Sequence, residues 1–156
     1  MHRAAVPIIA AAVALGIAAP GAAWAGTGVH QHFSERPAVV GDPITVTAVG
    51  EGQTRRPSTV TVTMVTEGVA GPGQSMTCIL GGRRWTATDL TCVFDRVRRG
   101  QTWRVRTSGV VNPDHPEYIS AGGTATSRRG SVSFYCQDPV AGHVSTWRHE
   151  AHYPCH

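Results

Sequence analysis

Thr59-Val60-Thr61-Val62-Thr63-Met64 alternates hydroxyl and apolar side chains over six positions. Successive side chains of a strand point to opposite faces, so Val60, Val62 and Met64 share an inward face and the threonines face out. The same period of two recurs along the chain. Ile44-Thr45-Val46-Thr47-Ala48 carries it, and Met76, Cys78 and Leu80 fall on one parity, as do Leu90, Cys92 and Phe94. Trp103 with Val105, Val132 with Phe134 and Cys136, and Val144 with Thr146 supply further strands. No stripe of helical period follows the first 25 residues. Turn chemistry punctuates these runs at Gly41-Asp42-Pro43, Gly50-Glu51-Gly52, Gly71-Pro72-Gly73, Gly81-Gly82, Asn112-Pro113-Asp114 and Gly122-Gly123. Seven to nine short strands so spaced predict an all-β chain, a single antiparallel β-sandwich, with a small β-barrel as the alternative.

The start of the chain sets its compartment. Met1-His2-Arg3 is a short positive lead, an apolar stretch runs from Val6 to Ala19, and Ala23-Trp24-Ala25 has the small-x-small pattern of a cleavage site. Residues 1–25 therefore read as a secretory signal, followed by an N-terminal arm or first strand over 26–43 and the sandwich over 44–156. No later apolar run is long enough to span a membrane, and the mature protein is expected outside the cell. There, four cysteines read most simply as two disulfides, and the nearest-neighbour pairing is Cys78 with Cys92 and Cys136 with Cys155. Each loop would add about 3 kcal/mol to a small core. One tension attends the first pair. A hairpin at Gly81-Gly82 running unbroken to Phe94 would set Cys78 opposite Trp85, so the bridge needs a break near Asp89 or strands in different sheets.

The passage Asp95-Arg96-Val97-Arg98-Arg99-Gly100-Gln101-Thr102-Trp103-Arg104-Val105 resembles the strand-loop-strand passage of immunoglobulin-like and fibronectin-III-like sandwiches, in which a turn glycine precedes the aromatic that starts an inner strand. The resemblance implies that sandwich fold and no particular activity. In plan, two local disulfide loops on a small exported sandwich are also similar to the antibiotic-carrying apoproteins of the neocarzinostatin type.

Charge narrows the chemistry. All 14 basic residues are arginine against 10 acids, so lysine Schiff bases and a P-loop are excluded. A net charge of +4 gives no strong nucleic-acid signal. Eight arginines stand as the doublets Arg55-Arg56, Arg83-Arg84, Arg98-Arg99 and Arg128-Arg129, each near a turn. If successive turns alternate between the ends, Arg55 and Arg83 fall at one end and Arg98 and Arg128 at the other, which argues against one polyanion patch.

Three sets of residues are candidates for function. His143, His149, His152 and His156 cluster in the last 14 residues, where neutral imidazoles suit copper or zinc; the competing reading is an exposed tail held by Cys155. His149-Glu150 lacks the spacing of the zinc-protease helix motif. No G-x-S-x-G occurs, and His115 with Glu117 could serve a small hydrolase or ribonuclease only as an acid-base pair; in their proline-flanked loop they read equally as a rigid partner contact. Tyr135 and Trp147 lie on the parity opposite the core residues of their strands and read as facing outward toward a partner, the alternative being a bulge that flips the parity and buries them. Together these features read as a secreted, non-enzymatic module without a required cofactor. It would bind an extracellular protein, as adaptor subunit of a complex or inhibitor of an enzyme, with a small-molecule or metal carrier and a small hydrolase as alternatives. No motif encodes an oligomeric state.

Overall fold

The computed structural model describes residues 29–34, 37–71, 75–114 and 117–142. Ten strands make up the regular structure: β1 (His30–Phe33), β2 (Pro43–Glu51), β3 (Ser58–Glu67), β4 (Val69–Ala70), β5 (Met76–Leu80), β6 (Arg83–Ala87), β7 (Thr91–Val97), β8 (Thr102–Val111), β9 (Tyr118–Ser127) and β10 (Gly130–Pro139). One sheet runs β1-β2-β8-β5-β6, with β4 paired to the end of β8, and the other runs β10-β9-β3-β7. All pairings within the sheets are antiparallel. The result is a two-layered β-sandwich with no closed barrel.

The inward faces are those the alternation predicts. Val60, Val62 and Met64 of β3 pack against Val46 and Ala48 of β2, Val105 of β8 and Phe94 of β7 in one buried cluster. Trp103 and Phe94 are fully buried with ring centroids 6.0 Å apart, and Trp85 meets Phe94 edge-on at 5.3 Å. Burying each aromatic adds roughly 1.5–3 kcal/mol relative to exposure. Cys78 and Cys92 are joined across this core, with Cα atoms 5.7 Å apart.

That bridge meets both conditions raised by its spacing. The β5-β6 hairpin, turned by Gly81 and Gly82 at φ 54° and 83°, does pair Cys78 with Trp85. The chain then breaks at 88–90, where Leu90 takes φ 52°, and β7 enters the other sheet. Leu90 is thus a crossing residue and not part of the β7 face. Glycine marks a second crossing: Gly68, at φ 74°, lets β3 pass into β4 of the opposite sheet.

Two turn assignments need correction. Gly122 and Gly123 lie inside β9, and Gly50 inside β2. They are spacers for close approach: a Cβ at Gly50 would strike the Trp103 ring, and one at Gly123 would strike the Thr63 carbonyl and the Phe134 ring. The edge beside β1 is closed by polar links. With its side-chain amide turned so that oxygen and nitrogen match their neighbours, buried Gln31 donates to the Ala121 carbonyl at 3.0 Å and accepts from the Tyr135 N–H at 3.2 Å, and Ala141 N–H donates to the Ala38 carbonyl at 2.7 Å. No helix among the described residues is long and apolar enough to cross a membrane.

Candidate functional site: an arginine-bearing end

The register brings four connections to one end of the sandwich. Glu51, at the end of β2, pairs with Thr102 at the start of β8, and Leu80, at the end of β5, pairs with Trp103. Val97 of β7 pairs with Ser58 of β3, while Ser127 of β9 pairs with Val60. Loop 52–57, turn 81–82, loop 98–101 and turn 128–129 therefore converge. All four arginine doublets stand at this end, and the expected division between two ends is corrected. The division failed because residues 84–94 are two strands with a reversal between them; taking them as one flips the end assigned to every later turn. A parity change was the available signal, since Trp85 packs inward on odd numbers whereas Cys92 and Phe94 do so on even ones.

The connections are stitched together by backbone hydrogen bonds. Arg99 N–H donates to the Thr54 carbonyl at 2.8 Å, Gly100 N–H to the Gly52 carbonyl at 2.9 Å, and Gly52 N–H to the Gln101 carbonyl at 2.9 Å. Thr54, buried beneath, donates its hydroxyl to the Arg56 carbonyl at 2.7 Å and shares a 2.9 Å bond with Ser58 Oγ. Gly52 permits this packing, because a Cβ there would strike the Arg98 carbonyl. The exposed arginines above thus sit on a fixed backbone. Gln53, Thr54, Arg55, Arg56, Arg99, Arg128 and Arg129 line a cavity of about 340 Å³ among them. None of these guanidinium groups pairs with a carboxylate among the described residues. Five forked cations around one cavity form a ready site for carboxylates or other oxyanions.

The residues singled out by sequence lie elsewhere. Tyr135 is 49% exposed on the outer face of the β10-β9-β3-β7 sheet, its ring over Gly122, in a register row that ends at the 62% exposed Val65. Glu117 is exposed at the opposite end, where its carbonyl accepts from Val140 N–H at 3.1 Å. Beside it, the Tyr118 hydroxyl donates to Glu67 Oε1 at 3.4 Å. The Glu67 carboxylate, with some burial and that hydrogen bond, holds the Tyr118 phenol above its ordinary value. Cys136 is disulfide-bonded. Cys155, His115, Trp147, His143, His149, His152 and His156 lie outside the described residues, and with them the metal and acid-base readings. Among the described residues no three metal-ligating side chains come together.

No protein-family model matches the sequence, and no curated protein matches it at a significant level. Solved structures do resemble it. Spo0M, a sporulation control protein from Bacillus subtilis, matches at 12% identity and a TM-score of 0.43 over 75% of this chain, which spans 50% of that protein. The collagen-binding domain of a Staphylococcus aureus adhesin matches at 8% identity and 0.44, covering 71% of this chain and 96% of the domain. A family 123 glycoside hydrolase from Clostridium perfringens matches at 10% identity and 0.42, covering 66% of this chain and 22% of the enzyme. Likenesses at this level assign neither family nor activity.

Proposed function

We propose that this is an exported, non-catalytic, immunoglobulin-like module that binds an acidic surface of another extracellular protein through its arginine-bearing end. One observation carries the reading: Arg55, Arg56, Arg83, Arg98, Arg99, Arg128 and Arg129 are all exposed at one end of the sandwich, and five of them, Arg55, Arg56, Arg99, Arg128 and Arg129, line one cavity. Crowding like charges costs free energy, no described carboxylate pairs with these guanidinium groups, and an acidic partner would recover part of that cost on docking. The fixed backbone beneath reduces the ordering cost of that docking. Export rests on the signal-like residues 1–25 and agrees with the disulfide. The immunoglobulin-like assignment rests on the two-sheet architecture, the inter-sheet disulfide and the tryptophan beside it.

The test is co-purification from the native culture medium with wild type and with Arg55→Glu/Arg128→Glu, whose sites are exposed and outside the core. A stoichiometric acidic protein that salt releases from wild type and that the variant fails to retain is the expected result. Equal retention by the variant, or no protein on either, would overturn the reading.

A further inference from the structure

The outward face of the β1-β2-β8-β5-β6 sheet carries a second set of cations, which shares only Arg84 with the doublets of the arginine-bearing end and none of the residues that line its cavity. Trp103, Val105 and Thr107 of the central strand β8 are buried inward, so Arg104 and Arg106 project outward. Register fixes their neighbours. Arg104 lies between Val49 and Ile79, with His30 beyond Val49 and Arg84 beyond Ile79. Arg106 lies between Thr47 and Thr77, with His32 and Thr86 beyond them. The first row thus places cationic or ionisable groups on alternate strands β1, β8 and β6, about 10 Å apart, with uncharged residues on β2 and β5 between them. The second row repeats His32 and Arg106 about 7 Å away.

Neither packing nor stability accounts for this face. Opposite charges directly across two strands stabilise a sheet, but the residues directly opposite Arg104 and Arg106 are Val49, Ile79, Thr47 and Thr77, none of them acidic. Here the only carboxylate that register places on the face, among the described residues, is Glu51 at its corner opposite Thr102. Arg104 and Arg106 are half-buried, and the Nε of each is shielded from solvent without a hydrogen-bond partner among the described residues. Burying a donor without a partner costs stability in a folded protein.

We propose that this face binds a linear acidic glycan lying across the strands, with carboxylate or sulfate groups on alternate sugars meeting Arg84, Arg104 and His30. Arginine offers planar, forked donors to both kinds of group. The hydroxyls of Thr77 and Thr86, between and beside the cations, suit the uncharged sugar positions. A repeat that spans the whole sheet favours an extended polymer over the irregular charge pattern of an acidic protein.

The proposal is independent of the acidic-partner reading, and the experiment separates them. Full-length exported protein is titrated at physiological salt with heparin, with polygalacturonate and with uncharged dextran. Either acidic glycan is expected to bind and dextran is not, with binding weakened about tenfold or more by Arg104→Gln/Arg106→Gln and much less by Arg128→Gln/Arg129→Gln. Fragments too short to reach from β1 to β6 should bind more weakly than longer ones. Arg104→Lys/Arg106→Lys keeps the charge should the glutamine variant fail to fold, and is expected to lose part of the affinity because the fork is gone. His30→Gln/His32→Gln, at exposed positions on the edge strand β1, should weaken binding by less than the β8 pair does, because they remove only the end of each row. Absence of glycan binding, equal loss in the β8 and turn variants, or a preference for acidic protein at the β8 arginines would overturn it.

Discussion

At one end of the sandwich, six exposed arginines sit on the connections 52–57, 98–101 and 128–129, with exposed Arg83 beside turn 81–82; at the other, Asp42, Glu67, Asp89, Asp114 and Glu117 expose five carboxylates. Both ends are tied down in the same manner. The arginine end has its bonds from Arg99 and Gly100 to the 52–54 carbonyls, and the acidic end has Asn112 N–H to the Gly68 carbonyl at 2.9 Å and Val111 N–H to the Asp42 carbonyl at 3.0 Å. Folding therefore does not demand the segregation, since either end could be closed by residues of either sign. Separating the charges raises repulsion within each end and sets opposite polarity at the two ends of the strands. Such a field orients a charged partner before contact.

The comparison can be broken most completely midway between the ends, at the covalent tie between the sheets. Cys78→Ala/Cys92→Ala is expected to lose about 3 kcal/mol of stability, read as a lower midpoint in urea unfolding, because it frees a loop of 14 residues in the unfolded chain. An unchanged midpoint would mean that the two sheets hold their ends together without it. Removing charge sharpens the contrast more gently. Arg128→Gln/Arg129→Gln should raise the melting temperature by about 1–3 °C at low ionic strength and by nothing measurable at high salt, where screening already removes the repulsion. A fall in melting temperature would show that these arginines are compensated within the fold.

The smallest effect belongs to the acidic end. Tyr118 should ionise at a higher pH than a free tyrosine, and Glu67→Gln should bring it down, as followed by alkaline ultraviolet titration. The sign follows from the repulsion between phenolate and carboxylate. The neutral phenol is favoured in the folded state, so its contribution to stability is complete below the ordinary tyrosine value of 10.0 and is lost as pH rises through the folded value.

Much of the architecture was legible because strands report one face at a time. Val60, Val62 and Met64, Cys92 and Phe94, and Trp103 and Val105 were readable as inward without any knowledge of their partners. The arginine-bearing end was not, because it depends on counting reversals, and one missed break at 88–90 moves every later turn to the wrong end. Gly122 and Gly123 misled for a related reason. The pair that looks like a turn is a gap left for the Tyr135 and Phe134 rings of the next strand, a tertiary cause that local sequence does not display. Arg104 and Arg106 showed their outward parity in the sequence, but not that β1 and β6 would place His30 and Arg84 in the same row.

The bond between Cys78 and Cys92 also closes a covalent ring that encloses the whole β5-β6 turn, including Arg83 and Arg84, exposed residues of the kind that trypsin-like proteases cut after. A single cut inside that ring opens the backbone without releasing a fragment, because both new ends stay fastened through sulfur. This exposed hairpin is thus one where nicking cannot by itself divide the chain. For the same reason Gly81-Gly82 is a natural place to graft a foreign peptide, whose two ends would be held by the ring whatever its sequence.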